Sequence, residues 1–134
     1  MRVCRVDIRV RYAETDQMGY CYYANYFTWF EVGRSALMRE AGKSYREVEE
    51  EGFILPVIEA HCNYKKPAIF DDLVTVETWV TYLRSRKVTF NYRIVRGEEQ
   101  LVEGYTVHLP VNPSGKPVAL SGEIVELLRP YLQE

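Results

Sequence analysis

One long helical pattern set between strand patterns restricts the fold of this chain more than any other feature. Apolar residues recur at helical spacing over residues 25–41, and Gly42 ends the segment. Residues 3–12 before it alternate between apolar and charged side chains, which predicts a half-buried strand. Four further strand patterns follow Gly52. This order predicts an α+β domain in which an antiparallel sheet of about five strands wraps around one helix.

The strand patterns after Gly52 are rich in β-branched and aromatic residues and are separated by turn residues. They are the segments FILPVIEAHCNY, LVTVETWVTYL, KVTFNYRIV and LVEGYTVHLPV. The short connection RGEEQ between the last two predicts an antiparallel pair. A short amphipathic segment, SYREVEEEG, follows the long helix, and a short terminal helix capped by Ser121 is predicted at SGEIVELLRPYL. A sheet covered on one face leaves its edges open, which predicts self-association.

Two residues of the long helix carry specific expectations. Asn25 has a side chain that suits an N-cap, and it stands at the start of the apolar pattern. Gly33 lies in the middle of the helix, where a glycine costs about 1 kcal/mol relative to alanine. A glycine at such a position predicts that the helix backbone closely approaches a neighbouring element, here the sheet.

The composition excludes several classes of protein. A chain of 134 residues fits one domain, predicted to span residues 1–134. Its 17 basic and 19 acidic residues give a net charge of -2, which offers no general attraction to nucleic acid. Three cysteines without a CxxC spacing indicate neither a disulfide framework nor a zinc site. With no signal-peptide pattern and no long apolar run, the chain is predicted to be cytoplasmic and without a membrane segment.

The common nucleophile and phosphate-binding motifs are absent from the sequence, which contains no GxSxG, GxGxxG or Walker pattern. Its two histidines, His61 and His108, both lie inside strand patterns. We interpret them as strand residues with satisfied hydrogen bonds. A histidine-based catalytic triad is therefore not expected.

The loop before the long helix combines carboxylates with aromatic residues. Glu14 and Asp16 precede the helix entry, where the backbone N–H groups around Tyr22, Tyr23 and Ala24 lack helical partners. Such groups can donate to a developing oxyanion while a nearby carboxylate attacks a carbonyl or activates water. The alternative is structural, with an Asx-turn at Asp16 and a solvated Glu14.

The segment ETDQMGYCYYANYFTWFEVGR resembles the signature of the 4-hydroxybenzoyl-CoA thioesterase-like, or YbgC/FadM-type, hotdog-fold family. That signature runs from an acidic residue through T-D-x-x-G to a helix entry of the form Y-x-A/P-N-Y. The resemblance covers essentially all 134 residues, including the segments DDLVTVET and SRKVTF. It implies the hotdog fold and an acyl-CoA thioesterase that needs neither a metal nor an organic cofactor.

The resemblance also implies roles for individual residues. Asp16 matches the carboxylate that acts as nucleophile or general base on the thioester carbonyl, with Glu14 in a supporting role. Tyr23 matches the position whose backbone N–H polarises that carbonyl, and Gly19 matches the turn glycine between them. Many YbgC-like members carry a histidine where this chain has Tyr23. This difference removes a side-chain acid or base but leaves the backbone donor.

Four further residues are expected to contact the substrate. Glu31 matches a helix position that borders the substrate cavity; the alternative is a surface ion pair with Arg34, one turn away. Arg84, Arg86 and Lys87 form a basic group in the segment YLRSRK, which the resemblance places at the CoA phosphates. The alternative for these three residues is a solvated turn.

The resemblance therefore implies a homo-oligomeric enzyme that hydrolyses acyl-CoA, with a dimer as the smallest assembly and a tetramer as the expected one. A non-catalytic module that binds acyl-CoA or acyl-carrier protein remains as an alternative, and it would not need Asp16. A thioesterase acting on acyl-carrier protein is a second alternative. The sequence decides neither the acyl group nor the choice between nucleophile and general base.

Overall fold

The computed structural model describes residues 2–133 and, within them, five strands and three α-helices. In chain order these are β1 Cys4–Arg9, α1 Asn25–Ala41, α2 Tyr45–Glu50, β2 Val57–Tyr64, β3 Leu73–Arg84, β4 Lys87–Arg96, β5 Glu99–His108 and α3 Gly122–Leu128. The strands form one antiparallel sheet in the order β1-β3-β4-β5-β2. The predicted α+β architecture with one long helix is confirmed.

Helix α1 lies against one face of the sheet and supplies much of the core. Its residues Trp29, Phe30 and Leu37 are at most 1% exposed. The Phe30 ring stacks on Tyr92 of β4, with ring centroids 4.2 Å apart and planes 5° from parallel. None of the helices within residues 2–133 has the length and apolar character that crossing a membrane requires.

The close approach predicted at Gly33 is present. A Cβ atom placed on Gly33 would lie 2.4 Å from Thr78 Oγ1 and 2.8 Å from Val76 Cγ1, both on β3. Gly104 of β5 has a related role, because a Cβ atom there would lie 2.2 Å from a backbone carbonyl oxygen of β2 and 2.9 Å from the Phe30 ring. The two glycines together determine how deeply α1 sits on the sheet.

Two details of the prediction are wrong at the borders of these elements. β1 ends at Arg9, because the chain then turns into a short 3₁₀ segment that leaves Tyr12 77% exposed. Asn25 is the first helical residue, and Ala24 holds the N-cap position. The Asn25 amide instead donates to the Glu14 carbonyl oxygen at 2.8 Å, which joins the helix start to the preceding loop.

Strand β2 forms an edge of the sheet and is exposed along almost its whole length. Its residues Val57, Ile58 and Tyr64 are 43%, 54% and 43% exposed. Among residues 2–133, no strand pairs with the outer side of β2. An open edge with apolar side chains is a surface on which a further strand can pair.

Gly33→Ala is expected to destabilise the protein, because the new methyl group would overlap Thr78 and Val76. Overpacking of this kind costs about 3 kcal/mol and outweighs the gain of about 1 kcal/mol in helix propensity. Urea unfolding should therefore show a net loss of about 2 kcal/mol. Gly122→Ala in α3 is the control, since its added methyl group meets nothing within 4 Å. An unchanged free energy of unfolding in Gly33→Ala would contradict the packing described here.

Candidate active site

Asp16 lies in a tight turn between β1 and α1. Its backbone N–H donates to the Tyr20 carbonyl at 2.8 Å, and its own carbonyl accepts from the Gly19 N–H at 3.0 Å. Its carboxylate oxygen Oδ1 accepts from the backbone N–H groups of Met18 at 2.9 Å and of Tyr20 at 3.3 Å. The Asx-turn is therefore confirmed. Oδ2 has no donor among the described residues, so the carboxylate is held in place with one oxygen free.

Backbone donors are available where the chain enters α1. The Tyr22 N–H, one of the expected oxyanion donors, is already used by the Glu14 carbonyl at 2.8 Å. In the described part of the chain, the N–H groups of Tyr23 and Ala24 have no acceptor. They precede a helix of 17 residues, whose dipole places partial positive charge at this end. Glu14 is itself only 7% exposed, so the alternative of a solvated Glu14 is wrong.

Asp16 and Tyr23 line the same open cleft, which has a volume of about 330 Å³. The other lining residues are Tyr20, Cys21, Tyr26, Tyr64, Lys65, Lys66 and Pro67. Burial raises the pKa of Cys21 and of Tyr26 to about 12, so both side chains are neutral at pH 7. Among the described residues that line the cleft, Asp16 is the one that carries a carboxyl group.

Tyr64, Lys65 and Lys66 are among the residues of this cleft that were not predicted from the sequence. The Tyr64 hydroxyl donates to the Tyr23 carbonyl at 3.0 Å, which steadies the peptide at the helix entry. Lys65 pairs with a glutamate of β5 at 3.2 Å, and Lys66 pairs with another at 3.0 Å. Two consecutive lysines directly after a strand pattern are the signal by which the sequence could have indicated a basic site here. Their positive charges lie at the cleft, but each already faces a carboxylate.

Glu31 lies outside this cleft. It is exposed on α1 and lines a second cleft, of about 280 Å³, between α1 and β2. The remaining lining residues are Phe27, Thr28, Arg34, Val57, Ala60 and Thr106. The alternative of an ion pair with Arg34 is wrong, because Arg34 turns inward and donates to the Tyr92 hydroxyl at 3.5 Å. The second cleft begins at Phe27 in the first turn of α1, and Tyr23 of the first cleft lies just before this helix.

The basic group Arg84, Arg86 and Lys87 lies at the turn between β3 and β4. The Asp16 loop instead packs against the segment just before β3. β3 has 12 residues and is about 40 Å long at the usual rise per residue, so one chain does not bring the two groups together. Arg84 and Lys87 lie over the Tyr82 ring, 5.4 Å and 5.1 Å from its centroid.

Neither histidine belongs to the cleft that contains the carboxylate. His61 is exposed on β2 and stacks on Tyr105, with centroids 5.3 Å apart. His108 is fully buried; its Nδ1 donates to the Leu55 carbonyl at 2.9 Å, and its Nε2 accepts from the Thr106 hydroxyl at 2.8 Å. The interpretation as a satisfied strand residue is confirmed for His108, and burial lowers its pKa to about 4. Within residues 2–133, no cluster of three or more His, Cys, Asp or Glu residues is suited to hold a metal ion.

A sheet wrapped around one long helix, with a carboxylate at the helix entry, defines the hotdog class of thioesterases. Residues 18–103 match the family model described as the Thioesterase superfamily. The chain belongs to this family. The predicted resemblance and the predicted hotdog fold are both confirmed.

Similar proteins support the same assignment. The chain is 38% identical over 120 residues to a Bacillus subtilis protein named putative acyl-CoA thioesterase YneP, covering 88% of this chain and 87% of that protein. It is 32% identical over 123 residues to the acyl-CoA thioester hydrolase YbgC of Escherichia coli, covering 90% of this chain and 92% of that protein. The crystal structure of the hypothetical protein TT1821 from Thermus thermophilus has a TM-score of 0.93 and 33% identity, covering 99% of this chain and 100% of that chain.

The protein is expected to lose stability in mild acid because of His108. The unfolded chain takes up a proton near the ordinary pKa of 6.5, whereas the folded protein does so near 4. Stability should therefore fall as the pH decreases from about 6.5 to about 4, by about 3 kcal/mol in total. Urea unfolding at a series of pH values measures this fall, and His108→Gln should reduce it. His61→Gln is the control and should keep it. An equal fall in His108→Gln would assign the effect to other groups.

Proposed function

We propose that this protein hydrolyses the thioester bond of an acyl-CoA, with Asp16 as the reacting carboxylate and the Tyr23 backbone N–H as oxyanion donor. The observation that carries the proposal is the shared cleft, in which the carboxylate and the free donors at the start of α1 are brought together. The relatives at 38% and 32% identity bear the names of acyl-CoA thioesterases. These names favour CoA over a carrier protein as the carrier of the acyl group.

The chemistry follows from the groups in the cleft. The carbonyl oxygen accepts from the N–H groups of Tyr23 and Ala24, which stabilise its negative charge when the carbon is attacked. In one route Asp16 Oδ2 attacks the carbon and the C–S bond breaks, so that CoA leaves as a thiolate that takes a proton from solvent. Water then cleaves the mixed anhydride, which gives the free acid, restores the Asp16 carboxylate and returns a proton to solvent. In the other route Asp16 takes a proton from a water molecule whose oxygen attacks the carbon; the C–S bond then breaks, and the proton passes to the leaving sulfur.

The oxyanion donor is a backbone group, so it does not depend on the identity of the side chain that carries it. The Tyr23 side chain is 60% exposed, and its ring lies edge-on to Tyr64 at 6.3 Å. The histidine that many YbgC-like members have at this position is therefore not needed to polarise the carbonyl. The Tyr23 ring is instead placed at the cleft opening, where it would contact the acyl group or the pantetheine chain.

The smallest assembly that we propose is a homodimer formed through the free edge of β2, with two dimers joining into a tetramer. Two copies of β2 would pair antiparallel about a two-fold axis. The Val57 end of one strand would then lie beside the Tyr64 end of the other. Within one chain, the Val57 end of β2 lies at the same end of the sheet as the turn between β3 and β4, because Val57 and Val88 both pair with His108.

The basic turn acquires a function in such a dimer. The second copy would then bring its Arg84, Arg86 and Lys87 to the end of the sheet at which Asp16 lies. They would there contact the phosphates of a CoA bound in the cleft. The second cleft, which Glu31 borders, would be closed by the second copy and would receive the acyl group.

Asp16→Asn is expected to reduce acyl-CoA turnover by at least about 100-fold, because an amide neither attacks the carbonyl nor takes a proton from water. The amide oxygen still accepts from Met18 and Tyr20, so the turn and the melting temperature should be kept. Release of free thiol from short, medium, long and aromatic acyl-CoAs measures the effect and ranks the substrates.

Asp71→Asn is the matched control for this substitution. Asp71 lies in the neighbouring loop with a φ of 70°, a conformation that asparagine also adopts readily. It should keep full turnover. Full turnover in a folded Asp16→Asn would remove Asp16 from the reaction. A folded wild-type protein that is inactive on every acyl-CoA would instead favour a carrier-protein substrate or a binding module.

Replacing Arg84, Arg86 and Lys87 together by glutamine should raise KM for acyl-CoA by about three- to tenfold and leave kcat nearly unchanged. The reason is that these residues would bind the phosphates and not the reacting carbonyl. An acyl-pantetheine substrate, which lacks the nucleotide phosphates, should show no change in KM. Lys116→Gln, in an exposed turn, is the control. An equal rise in KM for acyl-pantetheine would contradict phosphate binding by the basic turn.

A further inference from the structure

Glu14 has an unusual set of contacts for a loop residue. Its Oε2 accepts from Trp29 Nε1 at 2.9 Å, and its Oε1 accepts from the Arg11 backbone N–H at 2.8 Å. Its carbonyl oxygen accepts from the Tyr22 N–H and from Asn25 Nδ2, each at 2.8 Å. Glu14 therefore accepts four hydrogen bonds, and this buried residue stands two positions before the carboxylate of the proposed reaction.

Stabilisation of the fold does not explain why the Glu14 carboxylate is buried. Taking a charged group out of water costs several kcal/mol, and neither the Trp29 indole nor a backbone N–H brings a compensating charge. The Arg11 guanidinium comes no closer to the Glu14 carboxylate than 3.5 Å. Because the Arg11 side chain is 73% exposed, water screens the attraction between the two charges. The contacts of Glu14 are better explained by what they hold in place.

These contacts connect the two halves of the candidate site. Arg11 lies in the segment that leads to Asp16, while Trp29 lies in α1, just past the helix entry. Building on the proposed function, we infer that Glu14 and Trp29 form a clamp that fixes the Asp16 carboxylate relative to the Tyr23 N–H. Glu14 is thus a positioning residue for the reaction and does not itself touch the substrate.

The clamp needs an acceptor at both carboxylate oxygens of Glu14, since the Trp29 indole and the Arg11 N–H can only donate. Glu14→Gln keeps the shape but has one acceptor oxygen and one NH₂ group, so a donor meets a donor at one contact. Trp29→Phe removes the indole donor. In the double variant the amide oxygen can face Arg11 while the NH₂ group faces the phenyl ring, which relieves the conflict.

We expect Glu14→Gln to lower kcat for acyl-CoA by about 10- to 100-fold, with KM changed by less than about threefold. The double variant with Trp29→Phe should have a higher kcat than the product of the two single effects predicts. Amide hydrogen exchange over residues 14–24 should become faster in Glu14→Gln and stay unchanged in β3 and β4. All variants are assayed at a temperature at which circular dichroism shows them folded.

Tyr131→Phe is the control for an effect on stability alone. It removes a hydrogen bond from the Tyr131 hydroxyl to Glu40, 2.7 Å long, at the opposite end of α1. It should lower the melting temperature, while kcat and the hydrogen exchange of residues 14–24 stay unchanged. If Glu14 had a structural role alone, Glu14→Gln would behave like Tyr131→Phe, with a lower melting temperature and an unchanged kcat.

A folded Glu14→Gln with a kcat within about twofold of wild type would overturn the positioning role, as would additive effects in the double variant. The two proposals fail in different ways. Wild-type protein that hydrolyses no acyl-CoA would refute the proposed function. The clamp would then be judged by hydrogen exchange, and unchanged exchange over residues 14–24 in Glu14→Gln would overturn it.

Discussion

The contact between α1 and the sheet at Gly33 determines where this molecule can place its chemistry. Without a side chain at Gly33, the helix can lie directly on Thr78 and Val76 of β3. The stacking of Phe30 on Tyr92 then fixes the rotation of the helix about its axis. Once the helix is seated, its first turn is also fixed in position. The loop from β1 must pass beside that turn, and this is how Asp16 comes to share a cleft with the backbone donors.

The site depends on the path of the backbone more than on the identity of its side chains. The Asp16 carboxylate is held by two backbone N–H groups, and the expected oxyanion donors are backbone N–H groups as well. Such donors are already oriented before the substrate arrives and need little reorganisation during the reaction.

The sequence predicted the features that depend on local pattern. Strand alternation and helical spacing placed all five strands and α1, and the cost of a glycine inside a helix predicted the close approach at Gly33. Glu14 could not be placed in this way, because its burial depends on Trp29, 15 residues further along the chain. The basic residue Arg86 stands in a local charge cluster, but its separation from Asp16 is set by the length and pairing of β3. Sequence patterns therefore did not predict the features that depend on contacts between distant elements of the chain.

In the proposed reaction, the thioester carbonyl lies between Asp16 and the entry to α1. The most direct test is a crystal structure of the Asp16→Asn variant with a bound acyl-CoA. We expect the carbonyl oxygen at about 3 Å from the Tyr23 backbone nitrogen, with the carbonyl carbon next to the side chain at position 16. A thioester bound with its carbonyl away from the start of α1 would contradict the proposed role of Asp16 and the Tyr23 N–H.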